Sequence, residues 1–327
     1  MSDHSMLSLS DRSFRNNPGW RRTFAPGTMT LGLALPLGSG QGSATDFTEQ
    51  VELVHQADAA GFAALWLRDV PLRVPSFGDL GQVLDPWTYL GLLCGATSRI
   101  ALGTAAIVVP LAHPLILAKQ AASVDHLSGG RLLLGVASGD RPEEFPAFGL
   151  DVGKRGEVFR EHFGVLKKAW TTDQRGIKWS RGRMWSADVV PKPLADEVPT
   201  LVIGSAQQSM EWRAENGHGW MTYTAPIEQQ RGVIAQWNAA CERHGSGEFQ
   251  PFAQSMGLDL AEDPNKKPEG LHLGMRLGRN YLLELLGTLR DMGVHHLSFG
   301  LRLGDRPASE VLAELGEYVL PEFPANE

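Results

Sequence analysis

The sequence predicts an α/β protein that folds as a single (β/α)8 barrel with loop insertions. Short apolar runs of strand length alternate with segments of helical periodicity along the chain, in roughly eight units. The chain has 327 residues, enough for one barrel of typically ~250 residues and its insertions. We therefore expect parallel strands with a ligand site at their carboxyl ends, where such folds place their polar and glycine residues.

The first half of the chain contains four predicted strands. Each is a mostly apolar run followed by glycine, proline or polar residues, as is typical of buried parallel strands. They are Met29–Leu37, Ala63–Leu67, Ile100–Val109 and Arg131–Ala137. The helices that separate them are expected to begin at capping residues or first-turn prolines, namely at Asp46, Asp85–Pro86 and His113–Pro114. A long helix with a wide apolar stripe follows the fourth strand.

The second half repeats the alternation. Its predicted strands are Thr200–Ile203, Trp220–Tyr223, Phe252–Leu260 and His296–Leu301. The helices are expected to end near Asn216 and to cover Glu228–Arg243, Asn280–Met292 and Ala308–Val319. Two longer non-periodic stretches, Trp179–Pro193 and Asp263–Gly278, are interpreted as insertions in loops.

Composition narrows the class of protein. A hydrophobic content of 43% with 20% charged residues is ordinary for a globular protein, and the net charge of −7 argues against general binding to nucleic acid or anionic membranes. Residues 1–27 are rich in polar residues and arginine, which predicts a poorly ordered extension before a barrel domain at 28–327. Cys94 and Cys241 suggest neither a disulfide framework nor a metal site. Without a secretory signal or a membrane-spanning run, we expect a cytoplasmic protein.

Four motifs carry a resemblance to a known family. They are GTAAIV at 103–108, P-x-AHP at 110–114, VDHLSGGR at 124–131 and FG-x-D at 148–151. In this order and spacing, the segment resembles the bacterial luciferase-like family of flavin-dependent monooxygenases. The resemblance implies the barrel fold and FMN as cofactor. It also implies a cis peptide between Ala105 and Ala106, whose small side chains would let the flavin ring approach the backbone.

The FMN phosphate is expected after the fifth predicted strand. A small-residue turn between a strand and a helix N-terminus presents backbone N–H groups to an anion. Such a turn begins with Gly204 and Ser205 and continues to Gln208 and Ser209. The resemblance implies the same place, with the phosphate bound through Ser205 and the polar residues after it. Luciferase has a glutamate at the position of Gly204 and one residue fewer here, so Gln208 and Ser209 remain alternative phosphate contacts.

A positive charge for the phosphate is expected near the fourth strand. Luciferase has an arginine that contacts the cofactor at the position of Ser138, which is followed here by Gly139. Two arginines are candidates to replace it: Arg141, and Arg155, which follows FG-x-D at the spacing usual for the family. For Arg141, a surface ion pair with a neighbouring glutamate is the alternative.

The substrate pocket is expected at the carboxyl ends of the strands. The residues that close the first, second and sixth predicted strands are its candidate lining, namely Leu35, Asp69, Val70, Trp220 and Tyr223. Most of them are apolar, so the reacting part of the substrate should be apolar as well. Luciferase has the histidine that is essential for light emission at the position of Val70, and valine cannot transfer a proton. We therefore do not expect this protein to be a light-emitting luciferase.

The resemblance implies an FMN-dependent monooxygenase that inserts one oxygen atom from dioxygen into a small, largely apolar organic substrate. The flavin carries this chemistry, so no catalytic side chain is assigned. Reduced FMN would come from a separate flavin reductase, since the sequence contains no nicotinamide fingerprint, and family members are often homodimers. Two alternatives stay open: a deazaflavin-dependent hydride-transfer enzyme on the same barrel, and a flavin-binding protein without turnover.

Overall fold

The computed structural model describes residues 13–38, 47–77, 83–171 and 176–327. In these ranges the strands are β1 (Thr30–Ala34), β2 (Ala64–Leu67), β3 (Ala101–Thr104), β4 (Ile107–Val108), β5 (Leu132–Ala137), β6 (Ile177–Trp179), β7 (Gly182–Met184), β8 (Thr200–Ile203), β9 (Gly219–Tyr223), β10 (Phe252–Leu260), β11 (Glu269–Leu271), β12 (Gly274–Leu277) and β13 (His296–Gly300). The helices are α1 (Pro18–Thr23), α2 (Phe47–Ala60), α3 (Pro86–Ala96), α4 (Pro114–Ser128), α5 (Glu144–Ala147), α6 (Arg155–Thr171), α7 (Met210–Asn216), α8 (Ile227–His244), α9 (Arg279–Asp291) and α10 (Ala308–Tyr318).

Parallel strands close into a barrel surrounded by helices, which confirms the predicted (β/α)8 fold. The order around the barrel is β1, β2, β3 with its continuation β4, β5, β8, β9, β10 and β13, and β13 pairs again with β1. All of these pairings are parallel. The carboxyl ends of the strands therefore meet at one end of the barrel, where a ligand site is expected.

The predicted strands all occur, with one interruption. The third predicted strand is divided into β3 and β4 by a cis peptide between Ala105 and Ala106. Just before it, the Thr104 hydroxyl donates to the Gly135 carbonyl at 2.8 Å and accepts from the Gly135 N–H at 2.9 Å. A Cβ at Gly135 would lie 1.8 Å from the Thr104 carbonyl oxygen. Glycine at 135 therefore allows β3 and β5 to approach closely beside the cis peptide.

The two predicted insertions contain short strands of their own. The first begins inside the antiparallel hairpin formed by β6 and β7. In the second, β11 and β12 form an antiparallel pair, and β12 also extends the barrel strand β10 in parallel. The predicted helix start at Asp85 is confirmed, since the Asp85 carboxylate accepts from the Thr88 N–H at 2.8 Å. The predicted cap at Asp46 lies outside the described residues.

Residues 13–27, the described part of the predicted N-terminal extension, pack against the barrel. Phe14, Trp20 and Phe24 are buried in a cluster with small residues of the barrel interior, among them Ala64 and Ala101. Three aromatic side chains bury enough apolar surface to order a short segment, and they outweigh its arginines and prolines. Residues 1–12 lie outside the described part of the chain.

The core has two layers. Leucine, valine and phenylalanine side chains fill the space between the barrel and its helices, and a second cluster lies inside the barrel. None of the helices given above combines the length and hydropathy that crossing a bilayer requires.

Candidate active site

A cavity of about 360 Å³ opens at the carboxyl ends of the barrel strands. Many of the residues predicted for a ligand site line it. They are Asp69, Ala105, Ala106, Ser138, Gly139, Arg141, Arg155, Gly204, Ser205 and Tyr223. The strand order explains this convergence, because β2, β3 with β4, β5, β8 and β9 are successive neighbours in the barrel.

One wall of the cavity is formed by the Ala105–Ala106 peptide. The Ala105 N–H donates to the Leu67 carbonyl at 2.7 Å, so the bulge is attached to the end of β2. The next residues, Ile107 and Val108, resume pairing with β5. Both residues line the cavity, and their small side chains leave room for a flat ring to approach the backbone closely.

A left-handed turn after β8 forms another part of the lining. Gly204, Ala206 and Gln207 have φ values of 60°, 47° and 57°. Within the turn, the Gln207 N–H donates to the Ser205 hydroxyl at 3.2 Å. Residues 204–207 all line the cavity. Because glycine adopts this conformation without steric cost, Gly204 suits the first position of the turn.

Arg141 and Arg155, the two arginines predicted for the phosphate, both line this cavity, as does Arg68. Arg155 begins α6 and donates from Nη1 to the Val152 carbonyl at 2.9 Å, whereas its buried Nε has no hydrogen-bond partner among the described residues. The Arg141 side chain is 5% exposed, pairs with Asp140 at 3.0 Å and lies 4.4 Å from the Phe77 ring centroid. The Arg141 side chain is therefore buried beside the cavity.

Asp69 contributes a half-buried carboxylate to the cavity. It accepts a hydrogen bond from the Val108 N–H at 3.0 Å, which joins the end of β2 to β4. The pKa of Asp69 is raised to about 6, mainly by burial and also by the charge of nearby Asp85, while the Val108 hydrogen bond and Arg141 oppose the shift. Asp69 can therefore change its charge within the physiological pH range.

Gln208 and Ser209 do not line the cavity. The Gln208 side chain donates to the Gly156 carbonyl at 2.9 Å and accepts from Arg160 at 2.9 Å and 3.0 Å, so it joins the turn to α6. The Ser209 hydroxyl accepts from the Trp212 N–H and caps α7. Both side chains are occupied in supporting the turn, so the structure does not bring them to the place predicted for the phosphate.

Three of the predicted substrate-pocket residues also lie elsewhere. Leu35 and Trp220 are buried in the layer between barrel and helices, because successive strand residues point to opposite sides of the sheet. Trp220 instead supports the turn that was predicted to bind the phosphate, since its indole N–H donates to the Gly204 carbonyl at 2.7 Å. Val70 is partly buried and does not line the cavity.

The sequence analysis missed the neighbouring residues whose side chains face the cavity. Ala34 precedes Leu35 and Met221 follows Trp220, and both line the cavity, as do Trp66, Arg68 and Ile203. Side chains of a strand alternate between its two faces, so counting in steps of two from a residue known to face the cavity would have identified them. Among the described residues, no cluster of three or more histidine, cysteine or acidic side chains is arranged for a metal ion.

The described geometry agrees with comparisons to known proteins. A family model described as luciferase-like monooxygenase matches residues 29–262. The chain belongs to the luciferase-like monooxygenase family. Members of this family are flavin-dependent monooxygenases and related oxidoreductases, which confirms the predicted enzyme class.

Sequence relatives cover much of this luciferase-like chain. An uncharacterised protein of Mycobacterium tuberculosis is 30% identical over 242 residues, which cover 67% of this chain and 82% of the relative. The oxygenase component of a flavin-dependent trigonelline monooxygenase from Acinetobacter baylyi is 28% identical over 204 residues, 60% of this chain and 54% of that protein.

Solved structures share the luciferase-like barrel. A monooxygenase from Streptomyces bottropensis superposes with a TM-score of 0.77 at 20% identity, covering 90% of this chain and 100% of that one. An F420-dependent secondary alcohol dehydrogenase gives 0.72 at 16% identity, covering 90% and 98%. The oxygenating constituent of 3,6-diketocamphane monooxygenase from Pseudomonas putida, solved with FMN, gives 0.71 at 13% identity, covering 91% and 99%. At these identities the likeness concerns the fold.

Proposed function

We propose that this protein is an FMN-dependent monooxygenase that inserts one oxygen atom from dioxygen into a small, largely apolar organic substrate. The observation that carries the proposal is that Arg155, Arg141 and the left-handed Gly204–Gln207 turn line the same cavity. Guanidinium groups and the backbone N–H groups of such a turn are donors that an anionic group in the cavity would accept from.

The residues present fit the phosphate end of FMN. Arg155 and the turn are adjacent, because a Cβ built at the next residue, Gly156, would lie 2.8 Å from the Gln207 Cβ. Charge-assisted hydrogen bonds from a guanidinium to a phosphate are among the stronger polar contacts in proteins. Arg155, the Ser205 hydroxyl and the turn backbone would therefore hold the phosphate, and Arg141 would add positive charge to the same cavity.

The flat ring of FMN fits the apolar part of the cavity. The methyl groups of Ala105 and Ala106 leave space above the backbone, and Val108, Ile203 and Met221 supply further apolar lining. A volume of about 360 Å³ lies within the range usual for small-molecule sites. When bound, reduced FMN supplies the electrons and the reaction with dioxygen.

The protein's own side chains would orient the substrate and keep the reaction away from water. Asp69 and the Tyr223 hydroxyl are the polar groups that we assign to substrate orientation, and Tyr223 is 55% exposed at the cavity mouth. Asp69 can hold a proton at its carboxylate near neutral pH, because burial raises its pKa to about 6. A separate flavin reductase would supply reduced FMN. The Acinetobacter relative supports this, since it is the oxygenase component of its enzyme.

Comparison of FMN with riboflavin tests the phosphate assignment. The proposal predicts that riboflavin binds at least about tenfold more weakly, because it lacks the group that Arg155 would bind. Arg155→Met should weaken FMN binding by a similar factor and leave riboflavin binding unchanged. Lys154→Met, an exposed neighbour, is the control. Equal dissociation constants for FMN and riboflavin in the unaltered protein would remove the phosphate site.

Two further measurements are needed. One decides between FMN and F420 as the cofactor, and the other shows whether the protein catalyses a reaction. Titration with FMN and with the deazaflavin F420, followed by absorbance, should show tighter binding of FMN. Tighter binding of F420 would favour the hydride-transfer alternative, for which two solved F420-dependent enzymes with this fold are precedents. A protein that binds reduced FMN but consumes no dioxygen with any of a panel of apolar substrates would favour the non-catalytic alternative.

A further inference from the structure

The candidate active site contains a third arginine, Arg68, to which the proposed function gives no role. Arg68 directly follows β2 and lines the cavity from a half-buried position. It is two residues beyond Trp66, which also lines the cavity, so the alternation of side chains along a strand directs both to the same side. A guanidinium is permanently charged, and a charged group in a ligand cavity fixes how a ligand is oriented. Arg68 therefore indicates a ligand with a negatively charged group.

A second arginine, Arg302, lies on the other side of β1. This strand pairs with β2 on one side and with β13 on the other. Ala34 of β1 is beside Trp66 of β2, and the register with β13, continued by one residue, places Gly300 on the other side of Ala34. Arg68 and Arg302 each follow these neighbours by two residues, so the two arginines flank the end of β1 at a similar height.

The two guanidinium groups are close enough to influence each other. Burial lowers the pKa of Arg302, and the positive charge of Arg68 lowers it further. Two like charges held together in a partly buried place repel each other, and an anion beside them relieves that repulsion. Each guanidinium has five N–H donors, so a partner elsewhere in the chain still leaves donors for a ligand. The pair therefore has both the charge and the donors that an anionic group requires.

This pair is on the opposite side of the barrel from the turn proposed for the FMN phosphate. Starting from β1, the strand β8 is reached through β2, β3 and β5 in one direction and through β13, β10 and β9 in the other. The Gly204–Gln207 turn follows β8, whereas Arg68 and Arg302 flank β1. FMN with its phosphate at the turn and its ring against Ala105 and Ala106 would leave the β1 side of the cavity to the substrate.

The acidic residues of the cavity are engaged with other groups. Asp140 pairs with Arg141 at 3.0 Å. Asp69 accepts from the Val108 N–H, and the arginine whose charge lowers the pKa of Asp69 is Arg141. Both carboxylates are thus engaged on the β4 and β5 side of the cavity, away from β1.

We propose that the substrate is a small organic carboxylate, and that its carboxylate group binds Arg68. This inference rests on the proposed function, because it assigns the substrate of the same cavity. Arg302 adds positive charge beside Arg68. The apolar body of the substrate extends from Arg68 toward the flavin ring, past Trp66 and Met221, which line the cavity. The planar guanidinium and carboxylate groups match in a bidentate pair, so this contact gives specificity as well as affinity.

Hexanoate is the probe that tests this assignment, in calorimetric titrations of the full-length protein saturated with oxidised FMN. We expect one saturable site. Hexanamide, which has the same apolar body without the charge, should bind at least about tenfold more weakly. The same titrations without flavin should again show hexanoate binding that depends on Arg68, because the arginine belongs to the protein and not to the cofactor.

Substitution of the arginines locates the site. Arg68→Met should weaken hexanoate binding by about tenfold or more, and Arg302→Met by about threefold, because Arg302 contributes only its charge. Arg73→Met, at an exposed position after β2 that does not line the cavity, is the matched control and should change the affinity by less than about twofold. Arg68→Lys keeps the charge without the bidentate geometry, so its affinity should lie between those of the unaltered protein and Arg68→Met. Thermal unfolding checks that each variant is folded, and Arg68→Lys keeps the test valid if Arg68→Met is not.

FMN binding separates this inference from the proposed function. Arg68→Met should leave the dissociation constant for FMN within about twofold, because Arg68 is assigned to the substrate. A variant that lost FMN and hexanoate together would place Arg68 in the flavin site and overturn the inference. It would equally be overturned by no saturable hexanoate binding, by equal affinity for hexanamide, or by an unchanged hexanoate dissociation constant in Arg68→Met. If the unaltered protein bound no FMN, the proposed function would fail, and the titrations without flavin would still report whether Arg68 binds hexanoate.

Discussion

The indole N–H of Trp66 donates to Nε2 of His296 across the barrel interior, at 2.9 Å. On its other side, His296 donates from Nδ1 to the Thr30 hydroxyl at 2.8 Å, and that hydroxyl donates to the Thr23 carbonyl at 2.8 Å. Trp66 lines the active-site cavity, and Thr23 belongs to the N-terminal helix α1. A continuous chain of hydrogen bonds therefore connects the floor of the cavity with the segment that packs at the opposite end of the barrel.

His296→Leu should lower the free energy of unfolding by about 2–3 kcal/mol. Leucine fills much of the space of the imidazole but leaves the Trp66 indole N–H and the Thr30 hydroxyl without this partner. Denaturation with urea, followed by tryptophan fluorescence, measures the change. His55→Leu, at an exposed position of α2, is the control and should stay within about 0.5 kcal/mol. A cost for His296→Leu no larger than that of the control would contradict the importance of this hydrogen-bond chain.

The stability contributed by His296 should depend on pH. Burial lowers the pKa of His296 to about 3, whereas a histidine in the unfolded chain titrates near about 6.5. Between these values the unfolded state binds the extra proton, so this residue destabilises the fold by about 1.4 kcal/mol for each pH unit below about 6.5. The difference in unfolding free energy between the unaltered protein and His296→Leu should therefore shrink from pH 7 to pH 5. A difference that is constant across this range would show that the buried imidazole is not the titrating group.

Ala106→Leu should weaken FMN binding by about tenfold or more, because the larger side chain occupies the wall where the flavin ring is proposed to lie. The side chain projects into a cavity, so the free energy of unfolding should change little. Fluorescence titration with FMN gives the dissociation constant, and urea denaturation gives the stability. Ala59→Leu, at an exposed position of α2, controls for the added bulk. Unaltered FMN affinity in Ala106→Leu would show that the ring lies elsewhere.

Asp69→Asn should stabilise the protein relative to the unaltered chain as pH rises from about 4 to 6. The pKa of Asp69 is raised to about 6 in the fold, above about 3.9 in the unfolded state, so ionising the carboxylate costs stability as pH rises through this window. Asparagine stays neutral and can still accept from the Val108 N–H. Unfolding free energies of the two proteins at several pH values measure the effect. Asp140→Asn, with a side chain that is 70% exposed at the same cavity, should show no comparable trend.

The sequence by itself determined the barrel, because the eight barrel strands and the main helices between them are encoded by local periodicity. Thr200–Ile203 and Phe252–Leu260 coincide with the observed strands, and the other strands agree closely. The resemblance of the sequence motifs to a known family also predicted the cis peptide between Ala105 and Ala106, which the structure contains. Local patterns suffice here because alternation, caps and apolar runs act over a few neighbouring residues.

Only the tertiary structure decided which side chains face the cavity. Leu35 and Trp220 are each one residue away from a position that faces the cavity. Because successive side chains of a strand point to opposite faces of the sheet, these two pack against the helices. The tertiary structure also decided where residues 13–27 pack. Their aromatic side chains are buried against partners such as Ala64 and Ala101, which lie on distant strands. Burial in a barrel interior depends on contacts between residues far apart in the chain, and the identity of such partners is set by strand order and register, which no local pattern contains.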